Sequence, residues 1–186
     1  MTNEDLIQLL QARKVDEFNR FRANNPDFKI DFRGADLSGA MLYSADFKNT
    51  NLSGADLSRA ILHHTNFKNT NLSGANFSRA ILYYTYFRNA NLSGANFSRA
   101  YFCNAFFSDA NFRGAIFDGA YLGGANLAGT NLSGADFKGA VLYSANFIGA
   151  DLTGINVEGT ALTRAIFDKQ QIAMLQKLLR IEVVED

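Results

Sequence analysis

The chain has 186 residues, of which 47% are hydrophobic, and its 18 basic residues balance 18 acidic ones. This content is enough for one soluble core, and the balanced charge argues against nucleic acid as a partner. No stretch approaches the ~20 apolar residues of a membrane span, so we expect no membrane partner. The N-terminal segment carries acids where a secretion signal carries bases, and Cys103 is the single cysteine. Both features predict a cytoplasmic protein.

Residues 1–29 predict an N-terminal helical cap. Apolar residues fall in two clusters, Leu6 to Leu10 and Val15 to Phe21. Two short helices with a break near Arg13 fit these clusters better than one straight helix. Thr2 with Asp5 is a candidate cap for the first helix.

From residue 30 to residue 167 the sequence repeats every five residues. Every fifth position from Phe32 to Phe167 is Leu or Phe, apart from Val157, and the residue two before each is small in nearly every case. That small residue is mostly Ala, with these exceptions: Ile30, Thr50, Thr65, Thr70, Thr85, Thr130, Ile155 and Thr160. A period of five fits neither a helix nor a strand and predicts a solenoid whose units stack.

The repeat is stronger at twenty residues than at five. Most positions of residues 50–69 recur in residues 70–89, which indicates four pentapeptides per coil. The 28 pentapeptides then make about seven coils. At ~4.8 Å per coil, the stack would be ~34 Å tall.

Segments such as ANLSG at 90–94, ADLSR at 55–59 and ADFKG at 135–139 resemble the A(D/N)LXX pattern of the pentapeptide-repeat family. The resemblance covers Ile30 to about Lys169 and is greatest to the helix-capped, cyanobacterial-type members. It implies an all-β solenoid, a right-handed quadrilateral β-helix, here with α-helical caps at both ends. We expect one structural domain made of the cap 1–29, the β-helix 30–168 and the C-terminal cap and tail 169–186.

The C-terminal segment predicts a helix that runs to about Arg180. Asp168 with Gln171 resembles a capping box at its start. The expected apolar face consists of Ile172, Leu175, Leu178 and Leu179. Structural capping is the simplest role, and dimerisation through this helix and the IEVV segment at 181–184 is the competing one.

The four sides of the predicted coil are faces one to four, which begin with residues 31–34, 36–39, 41–44 and 46–49 and recur every twenty residues. Face one carries a column of Asp and Asn beside an unbroken column of glycine. The glycines predict turns with positive φ, as in type II. Inside the stack, Phe side chains twenty residues apart are expected to stack in columns.

Face three departs from the polar outer pattern of the family. Its outward positions, with two from face four, form what we name the aromatic surface: Met41, Tyr43, Ile61, His63, Ile81, Tyr83, Tyr84, Tyr86, Tyr101, Phe106, Tyr121 and Tyr143. Large exposed apolar patches usually mark interfaces, and tyrosine suits recognition. The competing interpretation is that these columns are β-favouring ladders that only stabilise the face.

Two basic ladders cross other faces. The arginine ladder on face two is Arg59, Arg79 and Arg99; the mixed basic ladder on face four is Lys48, Lys68 and Arg88. Stacked like charges repel unless an acid or an anion lies between them. They are therefore either candidate anion contacts or solvated stripes.

The inventory of side chains argues against an enzyme. His63 and His64 are the only histidines, and His63 lies two coils from Cys103, which predicts no nucleophile–base pair, metal site, cofactor or small-molecule substrate. The sequence favours a non-enzymatic scaffold rod that binds a protein partner or forms a homodimer. The resemblance offers an alternative, a DNA-mimicking modulator of a type II topoisomerase (gyrase). Residues 30–167 carry ten basic and nine acidic residues, a near-neutral balance that disfavours such mimicry.

Overall fold

The computed structural model describes residues 1–179. Its elements are helices α1 (Asn3–Gln11) and α2 (Val15–Asn24), a stack of β-bridged coils, and helix α3 (Lys169–Leu179). The IEVV segment, which is one part of the competing dimerisation interface beside α3, lies outside the described residues.

The coils pair through parallel β-bridges between residues twenty apart. Asp31 bridges Asn51, Asn51 bridges Asn71, and the same register continues to the bridge between Asn146 and Ile166. Each bridged residue stands alone between two tight turns, so residues 30–167 form no extended strand. Four such bridges occur per twenty residues, which gives the coil four sides.

Hydrogen bonds between successive coils hold this register. The N–H of Phe32 donates to the carbonyl of Asn51 over 2.7 Å, and the N–H of Asp56 donates to the carbonyl of Ala35 over 2.9 Å. Each coil therefore both donates to and accepts from its neighbours, as a parallel sheet does.

Tight turns connect the sides. The N–H of Ala55 donates to the carbonyl of Leu52 over 3.1 Å, and Gly54 between them has φ +65°. A four-residue turn with positive φ at its third residue is type II, which confirms the turn predicted from the glycine column.

Leu and Phe at every fifth position fill the core beside the small residues. Stacked Phe pairs lie 4.7 to 5.6 Å apart between ring centroids with nearly parallel planes, as predicted from the spacing of the columns. Most of the inward threonines satisfy their hydroxyls on the nearby backbone. The hydroxyls of Thr65, Thr70, Thr85, Thr130 and Thr160 donate to backbone carbonyls. The Thr50 hydroxyl instead accepts a hydrogen bond from Arg22.

Helices α1 and α2 cover the first coil. They are separated at Arg13, whose φ is +62°, as the two apolar clusters predicted. Thr2 and Asp5 form the expected capping box. Leu6, Leu10 and Phe18 are fully buried in the core.

Polar side chains of these helices also form hydrogen bonds with backbone groups at the open edge of the stack. The amide of Asn19 donates to the carbonyl of Ser44 over 2.9 Å, and its oxygen accepts from the N–H of Asp46 over 2.9 Å. Gln11 donates to the carbonyl of Asp36 over 2.9 Å. An unpaired sheet edge invites association with another chain, and these contacts block it.

Helix α3 lies at the opposite end and starts with the predicted capping box. The N–H of Gln171 donates to the Asp168 carboxylate, and the N–H of Asp168 donates to the Gln171 side-chain oxygen, each over 2.9 Å. The Gln171 amide reaches the carbonyls of Phe147 and Ala150 over 2.6 and 2.8 Å.

The apolar face predicted for α3 is wrong in part. Leu175 is buried, but Ile172 is 43% exposed and Leu178 is 48% exposed. The helix instead turns Gln171, Met174 and Leu175 toward the last coil. Because the last coil exposes backbone carbonyls as well as apolar surface, the polar residue Gln171 lies on the helix face that contacts this coil. The side chain of Leu179 lies outside the described residues.

A core substitution tests the stacked columns. Phe87 stacks on Phe67 at 5.2 Å and on Phe107 at 5.6 Å. Replacing Phe87 by Ala should lower the free energy of unfolding by ~3–5 kcal/mol, because a cavity replaces a ring with packing on both sides. Chemical denaturation followed by circular dichroism measures the loss. The control Phe106→Ala, which removes an exposed ring stacked only on Tyr86, should cost about 1 kcal/mol. Equal losses would contradict the packing argument.

Acid should loosen the helices at both ends. Hydrogen bonds from the backbone of Thr2 and of Gln171 lower the pKa of Asp5 and Asp168, respectively, below the ordinary 3.8. A carboxylate whose pKa is lower in the folded state than in the unfolded state stabilises the fold at pH values above the unfolded pKa. This contribution is lost as the pH falls below 3.8 and then through the folded-state pKa. The thermal midpoint should therefore decrease over this range. The Asp5→Asn/Asp168→Asn variant should show a shallower pH dependence than the wild type, and an identical profile would refute the assignment.

Candidate interaction surface

The first column of face three is continuous and apolar. Bridges join Met41 to Ile61, Ile61 to Ile81, Ile81 to Tyr101 and Tyr101 to Tyr121. The aliphatic members are half-buried, whereas the two tyrosines are exposed. Residues from five successive coils therefore form one apolar column on the outside of the rod, whereas the corresponding column of face one carries Asp and Asn.

A second aromatic column runs beside the first. The ring of His63 stacks on Tyr43 with centroids 5.4 Å apart and meets the edge of Tyr83 at 4.9 Å. Tyr143 continues the column higher up, where its hydroxyl accepts a hydrogen bond from Arg164 over 3.0 Å. Cys103 lies in the same column and is an exposed free thiol.

The corner toward face four extends the surface. Tyr84 stacks on His64 with centroids 5.1 Å apart, and Tyr86 stacks on Phe106 at 5.0 Å. Tyr84 occupies the left-handed backbone region with φ +56°, where a residue other than glycine costs ~1–2 kcal/mol. The predicted members of the aromatic surface thus lie together in space.

The aromatic surface remains open to solvent despite its internal stacking. Its seven largest exposed members have exposed fractions between 39% and 47%: Tyr43, Tyr84, Tyr86, Tyr101, Phe106, Tyr121 and Tyr143. Stacking along each ladder stabilises the face, as the competing interpretation holds. It covers only the ring faces within a column, however, and leaves the outer edges and hydroxyls available to a partner.

The surroundings of His63 on this surface change its pKa. Burial between neighbouring rings, and then the nearby His64, lower the pKa of His63 below its ordinary 6.5. A neutral imidazole keeps the centre of the column uncharged at neutral pH.

The two basic ladders differ in their surroundings. On face four, Arg88 lies 3.9 Å from Asp109, which partly neutralises that ladder. On face two, the arginine ladder borders a groove of about 780 Å³, which we name the arginine groove. Its main lining residues are Ser58, Arg59, Ser78, Arg79, Ser98 and Arg99.

The sequence did not reveal this groove or several exposed apolar positions. Ile116 on face two and Ile148 and Ile166 on face four are exposed. Ile116 and Ile166 take the place of Asp or Asn in their columns, a substitution that could have marked them beforehand. The groove had no such signal, because its depth depends on how the arginine side chains lie over neighbouring coils.

The described part of the chain contains neither a metal-binding cluster nor a membrane-spanning helix. Within residues 1–179, no group of three or more His, Cys, Asp or Glu side chains is placed to hold a metal ion. None of the three helices there has the length and apolarity to cross a membrane.

Comparison with known proteins identifies the repeat. The model of the family described as pentapeptide repeats matches in eight copies that span residues 29–169. No curated protein matches the chain.

Solved structures of similar fold include a trypsin-treated form of QnrB1, a plasmid-mediated fluoroquinolone resistance protein. It is 23% identical over 84% of this chain and 90% of that chain, with a TM-score of 0.57. HetL from the cyanobacterium Nostoc sp. strain PCC 7120 is 23% identical over 82% of this chain and 96% of that chain, with a TM-score of 0.26. Rfr23 from the cyanobacterium Cyanothece 51142 is 25% identical over 81% and 97%, with a TM-score of 0.25. The chain belongs to the pentapeptide-repeat family, whose fold is the right-handed quadrilateral β-helix.

Proposed function

We propose that this protein is a non-enzymatic scaffold rod that binds another protein, a second copy of itself included, through the aromatic surface. The observation that carries the proposal is the unbroken run of aromatic and apolar side chains over five coils of face three, half-buried in its aliphatic part and exposed at its tyrosines. Tyrosine and other aromatic residues are enriched where proteins associate, because their rings pack while their polar edges stay hydrated.

The ends of the rod are closed in this proposal. About seven coils form the stack, and α1, α2 and α3 act as caps that stop edge-to-edge growth. With the ends covered, association proceeds from a side of the rod. The single cysteine still favours the predicted cytoplasmic location.

The topoisomerase alternative has less support. A DNA mimic must present a strongly acidic surface, whereas the coils here are nearly neutral and carry the arginine ladder. The similarity to QnrB1, at 23% identity, supports a common fold. We therefore retain the interaction rod as the proposed function.

Charge placed on the aromatic surface should prevent association. The double variant Ile81→Glu/Tyr84→Glu would place two carboxylates where apolar contacts are needed, so the solution mass by light scattering should drop to that of a monomer. If the wild type is itself monomeric, the readout is capture of a protein partner by the immobilised rod. The control Ser73→Glu/Ser93→Glu adds the same charge to face one and should leave association unchanged. Equal association by all three proteins would remove this surface from consideration, provided that circular dichroism shows an intact fold.

Association should also weaken in mild acid. Because burial lowers the pKa of His63 below 6.5, the neutral ring is the form that fits a covered surface. As the pH falls below 6.5 and through the lowered pKa of His63, protonation of this ring adds positive charge that an interface would have to desolvate. Light scattering or partner capture across this range should show the loss. The His63→Asn variant should show a weaker pH dependence there; a pH dependence unchanged from the wild type would exclude His63 as its cause.

A further inference from the structure

The arginine groove combines four features that the interaction rod does not use. The first is charge: Arg59, Arg79 and Arg99 occupy one corner column at consecutive coils. At ~4.8 Å per coil they span ~10 Å, close enough for their charges to repel one another. Across residues 1–179, none of the three forms an ion pair.

The second feature is the position and hydrogen bonding of the two aspartates that border the groove. Asp56 lies at one end, but its carboxylate accepts hydrogen bonds from the N–H of Ser58 over 2.9 Å and from the amide of Asn76 over 3.1 Å. Asp118 lies at the other end, where its backbone carbonyl accepts the N–H of Arg99 over 2.9 Å. The acids therefore mark the limits of the basic run without neutralising its middle.

The third feature is the backbone. The same corner column holds glycine at the other four coils: Gly39, Gly119, Gly139 and Gly159. Arg59, Arg79 and Arg99 adopt the same left-handed conformation, with φ between +57° and +60°. A long side chain is unfavourable there, and strain of this kind is often retained where function requires the side chain.

Hydroxyl groups complete the lining. Ser58, Ser78 and Ser98 are half-buried between the arginines and the bridged column. The Ser98 hydroxyl donates to the side-chain oxygen of Asn96 over 2.7 Å. In the described part of the chain, the hydroxyls of Ser58 and Ser78 donate to no other residue, so both can turn toward a ligand oxygen.

We propose that the arginine groove binds a short oligophosphate, an anion that carries two or three linked phosphate groups. Guanidinium groups pair with phosphate oxygens through parallel hydrogen bonds, and the serine hydroxyls supply further donors. The length of the basic run, ~10 Å, suits a short chain of phosphates. Asp56 and Asp118 at its ends would repel a polyanion that continued past them, which favours a short ligand over a nucleic-acid strand.

Calorimetric titration with inorganic triphosphate tests the site. The wild type should bind, and its affinity should decrease as salt is raised from about 0.01 M to 0.1 M, over which the screening length falls from ~30 Å to ~10 Å. The triple variant Arg59→Gly/Arg79→Gly/Arg99→Gly, which adopts the residue used at the other four coils, should lose at least about tenfold in affinity. It should also melt at or above the wild-type temperature, because the left-handed corners are relieved. The single variant Arg79→Gln keeps the corner occupied by a long side chain and should weaken binding to an intermediate degree.

The matched control removes the other ladder. The variant Lys48→Gln/Lys68→Gln/Arg88→Gln loses the same three charges from face four and should bind triphosphate as the wild type does. No binding by the wild type in low salt, or an equal loss in this control, would overturn the proposal. A single-stranded oligonucleotide that binds at least about tenfold more tightly than triphosphate would overturn the choice of ligand class.

Discussion

The backbone hydrogen bond from one coil to the next is the constraint on which the rest of this structure depends. Phe32 donates to Asn51, Leu52 donates to Asn71, and Leu72 donates to Asn91, each over 2.7 Å. This register fixes the coil spacing at ~4.8 Å and forces every side chain to lie directly above the one twenty residues earlier. Side chains that stack well on copies of themselves are therefore favoured, inside the rod and outside it.

The register has different consequences for different side chains. Asparagine side chains in a column form hydrogen bonds with one another. The amide of Asn71 donates to the side-chain oxygen of Asn51 over 3.2 Å, and that of Asn91 donates to the side-chain oxygen of Asn71 over 3.3 Å. Aromatic rings stack, as Tyr101 does on Tyr121 with centroids 4.8 Å apart. Arginine gains nothing from a copy of itself, since like charges ~4 Å apart repel by ~1 kcal/mol even in water. The same geometry thus produces a neutral ladder, an apolar ladder and a charged groove.

The periodic part of the protein could be predicted from the sequence, because each core position obeys one local rule repeated 28 times. The faces, the turns and the Phe columns followed from it, whereas the capping residues Thr2 and Asp168 were predicted from helix-capping patterns. The ends were harder, because their contacts occur once and have no period. Asn19 and Gln171 bind backbone groups of the terminal coils. The sequence marked Gln171 only as a capping residue of its own helix, and nothing near Asn19 distinguishes it from an ordinary surface residue. The apolar face of α3 was wrong in part for the same reason.

Left-handed corners occur on both surfaces, but they are not confined to them. Packing restricts the residues at core positions, so substitutions at the corners cost the least stability. Asn49, Asn69 and Asn89 occupy left-handed corners, a conformation that asparagine tolerates well, and their side chains form a hydrogen-bonded ladder. Tyr84 and the three groove arginines occupy equivalent corners without that tolerance, and so do Ser44, Ser144 and Arg164. Backbone strain therefore accompanies the two surfaces without singling them out. What distinguishes the groove is that three like charges meet at its corners and form no ion pair within residues 1–179.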